Sequence, residues 1–345
     1  MRIRLVKSLR GGETLAESVI TEEKEVLISK GTVLKPEYLD LISFLGINTV
    51  CIEDPYVSYE MPHWGYTEEK RKDYICRVQK ILENHIYQGQ GELRVLEPLA
   101  RDIVNDLKDV DENIVIDMEE RSGNLYEHTI MVTLLAVLIA KKLKLSEEQM
   151  NDIALGCLLH DLGLRYITVP YIDYDIEQSA ASEIFEYKKH TILAFTALEN
   201  EDWLKSNVKK MVLSHHERKD GSGFPLKQKT KEIECSILQV CDTFDCMISG
   251  MECKRNSVQE TLEYLFEVSD VLFEKKIVKM LIKLVARYPV GTKVKLNTGE
   301  NGIVISQTDD SAHPIIAILD ENENICDTQY NLCKNKKITI LQVLI

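Results

Sequence analysis

The stretch Ile153-Ala154-Leu155-Gly156-Cys157-Leu158-Leu159-His160-Asp161-Leu162-Gly163 decides how this chain is read. An unbroken apolar run meets a histidine and an aspartate. Upstream, Ser146-Glu147-Glu148-Gln149 is a capping box, which predicts a helix opening there and ending at His160-Asp161. A helix this apolar is buried, and burying a carboxylate beside an imidazole is costly unless a cation compensates it.

Outward from this stretch the same chemistry recurs. Five of the eight histidines lie between positions 128 and 216. A second word, His215-His216-Glu217-Arg218-Lys219-Asp220-Gly221-Ser222-Gly223-Phe224-Pro225, lies downstream, with His190 between the two words. His128 stands in an apolar helical segment, and Asp242 follows the apolar run Ile237 to Cys241. Each piece alone has a bland explanation: a core histidine, a polar helix end, surface residues before a turn, or capping carboxylates such as Asp242 and Asp245. Together, five imidazoles and two carboxylates are enough to hold two metal ions. Such ligands suit Mn, Fe or Zn, and the lack of thiolates among them disfavours a structural zinc site.

Composition narrows the class. The 345 residues are 44% hydrophobic, as in a globular protein of two or three domains. No apolar run reaches the roughly 18 residues a membrane span needs; Ile130 to Ala140 is short and contains Thr133. Met1-Arg2-Ile3-Arg4, with Lys7 and Arg10 close behind, does not read as a secretory signal. The nine cysteines include no C-x-x-C pair, so free thiols in a reducing cytoplasm are expected. A net charge of −14 repels duplex nucleic acid, although metal ions can reverse the sign locally for a small anion.

The chain divides into a small N-terminal α/β module (1–55), a linker (56–66), a helical domain (67–288) and a small β module (289–345). In the first, β-type runs at Glu25 to Ile28 and Thr32 to Leu34 precede a helix opened by Pro36 and stopped at Gly46, then a strand over Asn48 to Ile52. In the last, Thr292 to Leu296, Ile303 to Ile305, Pro314 to Leu319 and Ile338 to Ile345 predict short strands forming a β-barrel or sandwich. The fold class is thus mainly α, a helical bundle between two small β-containing modules. Lys334 to Lys337 reads as a solvated turn, and Lys205, Lys209 and Lys210 as a helix surface.

From about Gly123 to Arg255 the chain resembles the HD-GYP subgroup of HD-domain phosphohydrolases, whose members hydrolyse cyclic di-GMP. The word from His215 to Pro225 is its most specific element. By motif, the resemblance implies that His128, His160, Asp161 and Asp242 hold one metal, and Asp161, His190, His215 and His216 the second. It implies Asp161 and His160 as catalytic residues and Lys254, Phe224 and Asp220 as residues facing the substrate. Two divalent ions, Fe or Mn, are the implied cofactors. Ions roughly 3.5–4 Å apart activate a water and neutralise phosphate charge. The implied partner is a cyclic dinucleotide; a homodimer or a signalling protein partner stays open.

The family pattern is not matched everywhere. Leu164 stands where a phosphate-contacting lysine is usual, and Arg165 beside it would point about 100° away on a regular helix. Phe224 replaces a tyrosine, and Asn124 replaces the glutamate of trinuclear members, so two metals are expected. Met251, Glu252, Cys253 and Lys254 replace an arginine-proline-tyrosine-basic run, and Asp173 to Ser182 lacks a lysine-containing loop. A charge-assisted hydrogen bond to phosphate contributes about 1.5–3 kcal/mol. Without two of them in the transition state, activity would fall by roughly two to four orders of magnitude. The expected function is a cyclic di-GMP phosphodiesterase; the alternatives are a weakened or inactive nucleotide receptor and a hydrolase of a different phosphoester.

Overall fold

The computed structural model describes residues 2–21, 25–54, 68–88, 92–118, 121 and 123–344. The expected linker lies outside them. The chain forms two compact units: His63–Ile116 with Gly123–Val285, and Met1–Pro62 with Asp117–Ser122 and Ala286–Ile345.

The second of these begins with β1 (Arg2–Leu5), β2 (Val19–Ile20), β3 (Val26–Ile28), α1 (Pro36–Phe44) and β4 (Thr49–Ile52). β1 pairs antiparallel with β4, and β2 with β3. Leu15, Leu34, Ile42, Val50 and Ile52 make their common core. The predicted strand at Thr32 to Leu34 is reduced to a single bridge between Val33 and Thr14.

The helical unit contains α2 (Glu68–Gln88), α3 (Leu96–Asp106), α4 (Leu125–Lys142), α5 (Glu147–Leu159), α6 (Ala181–Lys188), α7 (His190–Ala197), α8 (Ser206–Ser214), α9 (Ile233–Ser249), α10 (Val258–Glu267) and α11 (Lys275–Leu284). α4 is its axis. Between Leu125 and Ala140 every residue but Glu127 is buried, because α2, α5, α9 and α11 pack around it. Such all-round apolarity has no amphipathic stripe, and only a helix surrounded by others can carry it. Asn124 opens α4, its side chain accepting from the N–H groups of Tyr126 and Glu127. The predicted capping box opens α5: Ser146 Oγ accepts from Gln149 N, and the Gln149 side chain reaches back to Ser146 N. α5 runs straight into His160. α9 ends at Gly250, whose φ of 77° allows the chain to reverse.

The C-terminal part holds β5 (Lys293–Leu296), β6 (Asn301–Ser306), β7 (Ile315–Leu319), β8 (Ile325–Asn331) and β9 (Ile340–Val343) in one antiparallel sheet of order β8-β7-β6-β5-β9. The sheet is open. β9 pairs on β5, no pairing joins it to β8, and the expected barrel closure is absent among the described strands. One face packs Val294, Leu296, Val304, Ile316 and Leu332 into a core.

Candidate metal centre

Helix ends carry most of the site. His160 caps the C-terminus of α5, and His215 that of α8. His190 is the first residue of α7, His128 lies in the first turn of α4, and Asp242 is midway along α9. A helix leaves its last carbonyls without intrahelical partners, and the imidazoles use them. Nδ1 of His160 bonds Cys157 O at 2.6 Å, His215 Nδ1 bonds Val212 O at 2.7 Å, and His190 Nδ1 bonds Tyr187 O at 2.7 Å. His128 Nδ1 is held by Asp245 Oδ2 at 2.7 Å. A carbonyl only accepts, so Nδ1 carries a proton in the first three, and in the neutral ring Nε2 is the nitrogen left with a lone pair.

Those lone pairs converge. His128 and His160 bring their Nε2 atoms to 3.2 Å, and His190 and His215 to 3.1 Å. Asp161 lies between the pairs. Its Oδ2 is 3.3 Å from His160 Nε2 and 3.5 Å from His128 Nε2, while its Oδ1 is 3.5 Å from His215 Nε2 and 3.7 Å from His190 Nε2. Asp242 Oδ1 completes the first set, 3.3 Å from His128 Nε2. Both oxygens of Asp161 and Oδ2 of Asp242 are buried without a hydrogen-bond partner. Bare acceptors facing one another repel in a low dielectric, unless a cation sits among them. Two donors on one ion at bond lengths of about 2.1 Å lie roughly 3.0–3.4 Å apart, close to the spacings found. Two four-residue groups could therefore each hold a metal: His128, His160, Asp161 and Asp242, and Asp161, His190, His215 and His216.

The two groups differ electrostatically. Burial opposes charge on His128, but Asp242 and Asp245 outweigh it and lift the pKa to about 9. His160 is likewise lifted despite burial, chiefly by Asp161. On the other side, burial and the neighbouring His215 drop His190 to about 4, and the same two causes hold His216 well below its usual range. Asp161 and Asp242 resist burial and stay well below the usual carboxylate range because imidazoles surround them.

All seven residues expected as metal ligands come together, each at most 6% exposed. The residues expected to face the substrate lie in different settings. Phe224 stacks on His216, ring centres 4.6 Å apart and planes at 20°, with Lys188 Nζ 5.3 Å from the Phe224 ring centre. Asp220 is exposed and turned into its own loop, its Oδ1 accepting from Ser222 N and Oγ. Lys254 is also exposed, and neither it nor Asp220 bonds any of the seven. Leu164 is buried. Arg165 sits on a 3-10 turn, Leu162–Tyr166, rather than a regular helix.

Two close approaches hold the frame. A Cβ at Gly163 would lie 1.8 Å from His190 O, and one at Gly223 2.3 Å from His216 O, so only glycine lets these backbones meet. Glu217, buried beside the ligands, staples the following loop by accepting from Leu226 N at 2.7 Å and Gln228 N at 3.0 Å.

Two neighbours escaped sequence reasoning. Tyr187 places its hydroxyl 3.1 Å from His216 Nε2. Glu252 brings a third carboxylate, Oε2 3.8 Å from the same nitrogen; burial, then Asp161 and Asp242, push its pKa up to about 8. Tyr187 stands three residues before His190, a helical spacing that could have flagged it. Nothing in the sequence marks Glu252 as inward-facing.

The HD domain family matches residues 94–277. A cyclic di-GMP phosphodiesterase of Thermotoga maritima is 30% identical over 58% of this chain and 58% of its own length. The Pseudomonas aeruginosa cyclic di-GMP phosphodiesterase PA4108 is 27% identical over 53% of this chain and 44% of its own. The response regulator RpfG of Xanthomonas campestris pv. campestris, also a cyclic di-GMP phosphodiesterase, is 29% identical over 63% and 54%. The chain thus spans about half the length of these curated relatives. Among solved structures, Bd1817, an HDG"Y"P protein from Bdellovibrio bacteriovorus, shares the fold with a TM-score of 0.54 at 14% identity, over 81% of this chain and 97% of that one. No helix among the described residues is long and apolar enough to cross a membrane.

Proposed function

Because the chain belongs to the HD-domain family, we propose that it is a metal-dependent phosphodiesterase that opens cyclic di-GMP to the linear dinucleotide. The observation that carries this reading is Asp161: one buried carboxylate, both oxygens unpartnered, shared between two donor groups. The names of the relatives point to the same substrate. His128, His160, Asp161 and Asp242 would hold one ion, and Asp161, His190, His215 and His216 the other; imidazole and carboxylate donors suit Fe or Mn. When bound, two such ions supply an activated water and neutralise phosphate charge.

The chain's own residues supply the rest. Asp161 fixes the spacing of the two groups, and the backbone-anchored imidazoles keep their lone pairs aimed inward. Phe224 offers an aromatic platform beside His216 for a purine, and Lys188 a cation at the same mouth. The nine cysteines are all unpaired, in keeping with work in the cytoplasm.

A second reading is a nucleotide receptor, or a hydrolase of another phosphoester. The burial of Leu164 and Met251, where phosphate-gripping cations are usual, favours it. Chromatography of cyclic di-GMP incubated with anaerobically purified, Mn- or Fe(II)-loaded protein separates the two. Conversion by the wild type and none by Asp161→Ala supports the phosphodiesterase. A fully loaded wild type that leaves the nucleotide intact selects the second reading.

A further inference from the structure

Four of the five imidazoles at the centre are anchored alike, through Nδ1, with Nε2 facing inward. His216 is the exception. Its Nε2 is the nitrogen met by protein, 3.1 Å from Tyr187 Oη and 3.8 Å from Glu252 Oε2. Its Nδ1 lies on the Asp242 side, 4.0 Å from Oδ2.

The chain accepts strain to bring Glu252 here. The residue has φ +64°, a left-handed conformation that costs a side-chain-bearing residue energy. Its backbone is pinned there: its N–H donates to Tyr171 O at 2.6 Å, and its carbonyl accepts from Ile176 N at 3.1 Å. The carboxyl is buried near two other carboxylates, one oxygen without a hydrogen bond and the other 3.6 Å from Cys246 Sγ. A third acid in such a place has no packing rationale, since an apolar side chain would fill it at lower cost.

We propose that Tyr187 and Glu252 are positioning residues that turn His216 over, so that this imidazole meets the metal centre through Nδ1 while the other four meet it through Nε2. A neutral imidazole carries one proton. Tyr187 Oη accepts it at Nε2, and Glu252 Oε2, 3.8 Å from the same nitrogen, backs that side of the ring, which leaves the Nδ1 lone pair free. Ligating histidines commonly have their second nitrogen held by a carboxylate or carbonyl, and this hold sets the tautomer. Tyr187 does so twice, since its main-chain carbonyl takes the His190 Nδ1 proton. The proposal rests on the metal-dependent reading above.

A crystal structure of the Mn(II)-loaded wild-type protein tests it directly. The ion is expected about 2.2 Å from His216 Nδ1, with Nε2 on Tyr187; an ion on Nε2 overturns this proposal and leaves the metal-dependent reading standing. A wild type that binds no manganese overturns both. Solution titration with Mn(II) gives a second measure. Tyr187→Phe and Glu252→Ala are expected to weaken one of the bound ions by about 10–100-fold, with Glu252→Gln, which keeps an acceptor, recovering most of it. Wild-type affinity in both Tyr187→Phe and Glu252→Ala overturns the positioning role.

Discussion

Asp245 shows how much of this centre is decided one residue behind the ligands. It is fully buried and grips His128 Nδ1 at 2.7 Å, so it fixes both the ring's angle and its basicity. Asp245→Asn should weaken binding of one metal by about 10–100-fold in an Mn(II) titration while leaving the other ion in place. The titrating groups also set a pH optimum for the metal-stripped protein. His190, depressed to about 4, stays neutral while the unfolded chain protonates at 6.5, so its contribution is lost as pH falls from 6.5 to 4. His216 acts in the same sense. His128, raised to about 9, contributes fully below 6.5 and loses that contribution as pH rises through 9; Glu252, raised to about 8, declines from 4.5 upward. Thermal unfolding of stripped protein should therefore show its highest midpoint near pH 6.5, and a midpoint climbing steadily to pH 9 would contradict this assignment. That the seven residues expected as ligands would gather was readable in sequence, because His160, Asp161, His215 and His216 sit in short words and His128 and Asp242 in apolar segments. Tyr187 and Glu252 were not, since their roles depend on a loop that folds back through Tyr171 and Ile176. Lys254 and Asp220, expected to face the substrate, lie exposed and outside the cluster of seven.

At the scale of elements, helix α5 was readable end to end: a capping box, a buried run and a histidine at the last turn. What the sequence could not show is how tightly the turn after it abuts the start of α7. Gly163 is the point of contact, and Gly163→Ala would drive a methyl into the His190 carbonyl. Overpacking of this kind costs about 1–3 kcal/mol, and more against rigid backbone. The variant should unfold at lower temperature and lose affinity on the His190 side; a wild-type midpoint and wild-type metal content would show that the two segments separate freely. Strand β8, Ile325–Asn331, was missed for the opposite reason. Its residues are mostly polar and exposed, so it has no apolar alternation, and its place comes from pairing with β7.

For the whole molecule, the mainly helical class and the C-terminal sheet were visible as changes of hydrophobic period along the chain. Closure of the C-terminal sheet was not, because period alone cannot tell an open sheet from a barrel. Asp117 belongs to the same unit as that sheet, where its Oδ2 accepts from Val290 N at 2.8 Å and Gln307 Nε2 at 3.0 Å. Asp117→Ala strands the Val290 N–H, while Gln307 Nε2 keeps Tyr288 O, at a cost of about 1–3 kcal/mol. It should lower the unfolding midpoint while metal titration stays as in the wild type; an altered titration would mean the two units are energetically one. The loop stapled by Glu217 has a mechanical consequence. Phe224 N bonds His216 O, and its ring stacks on that imidazole, so platform and ligand move as one piece. A label on that ring would therefore read out any shift of the imidazole beneath it.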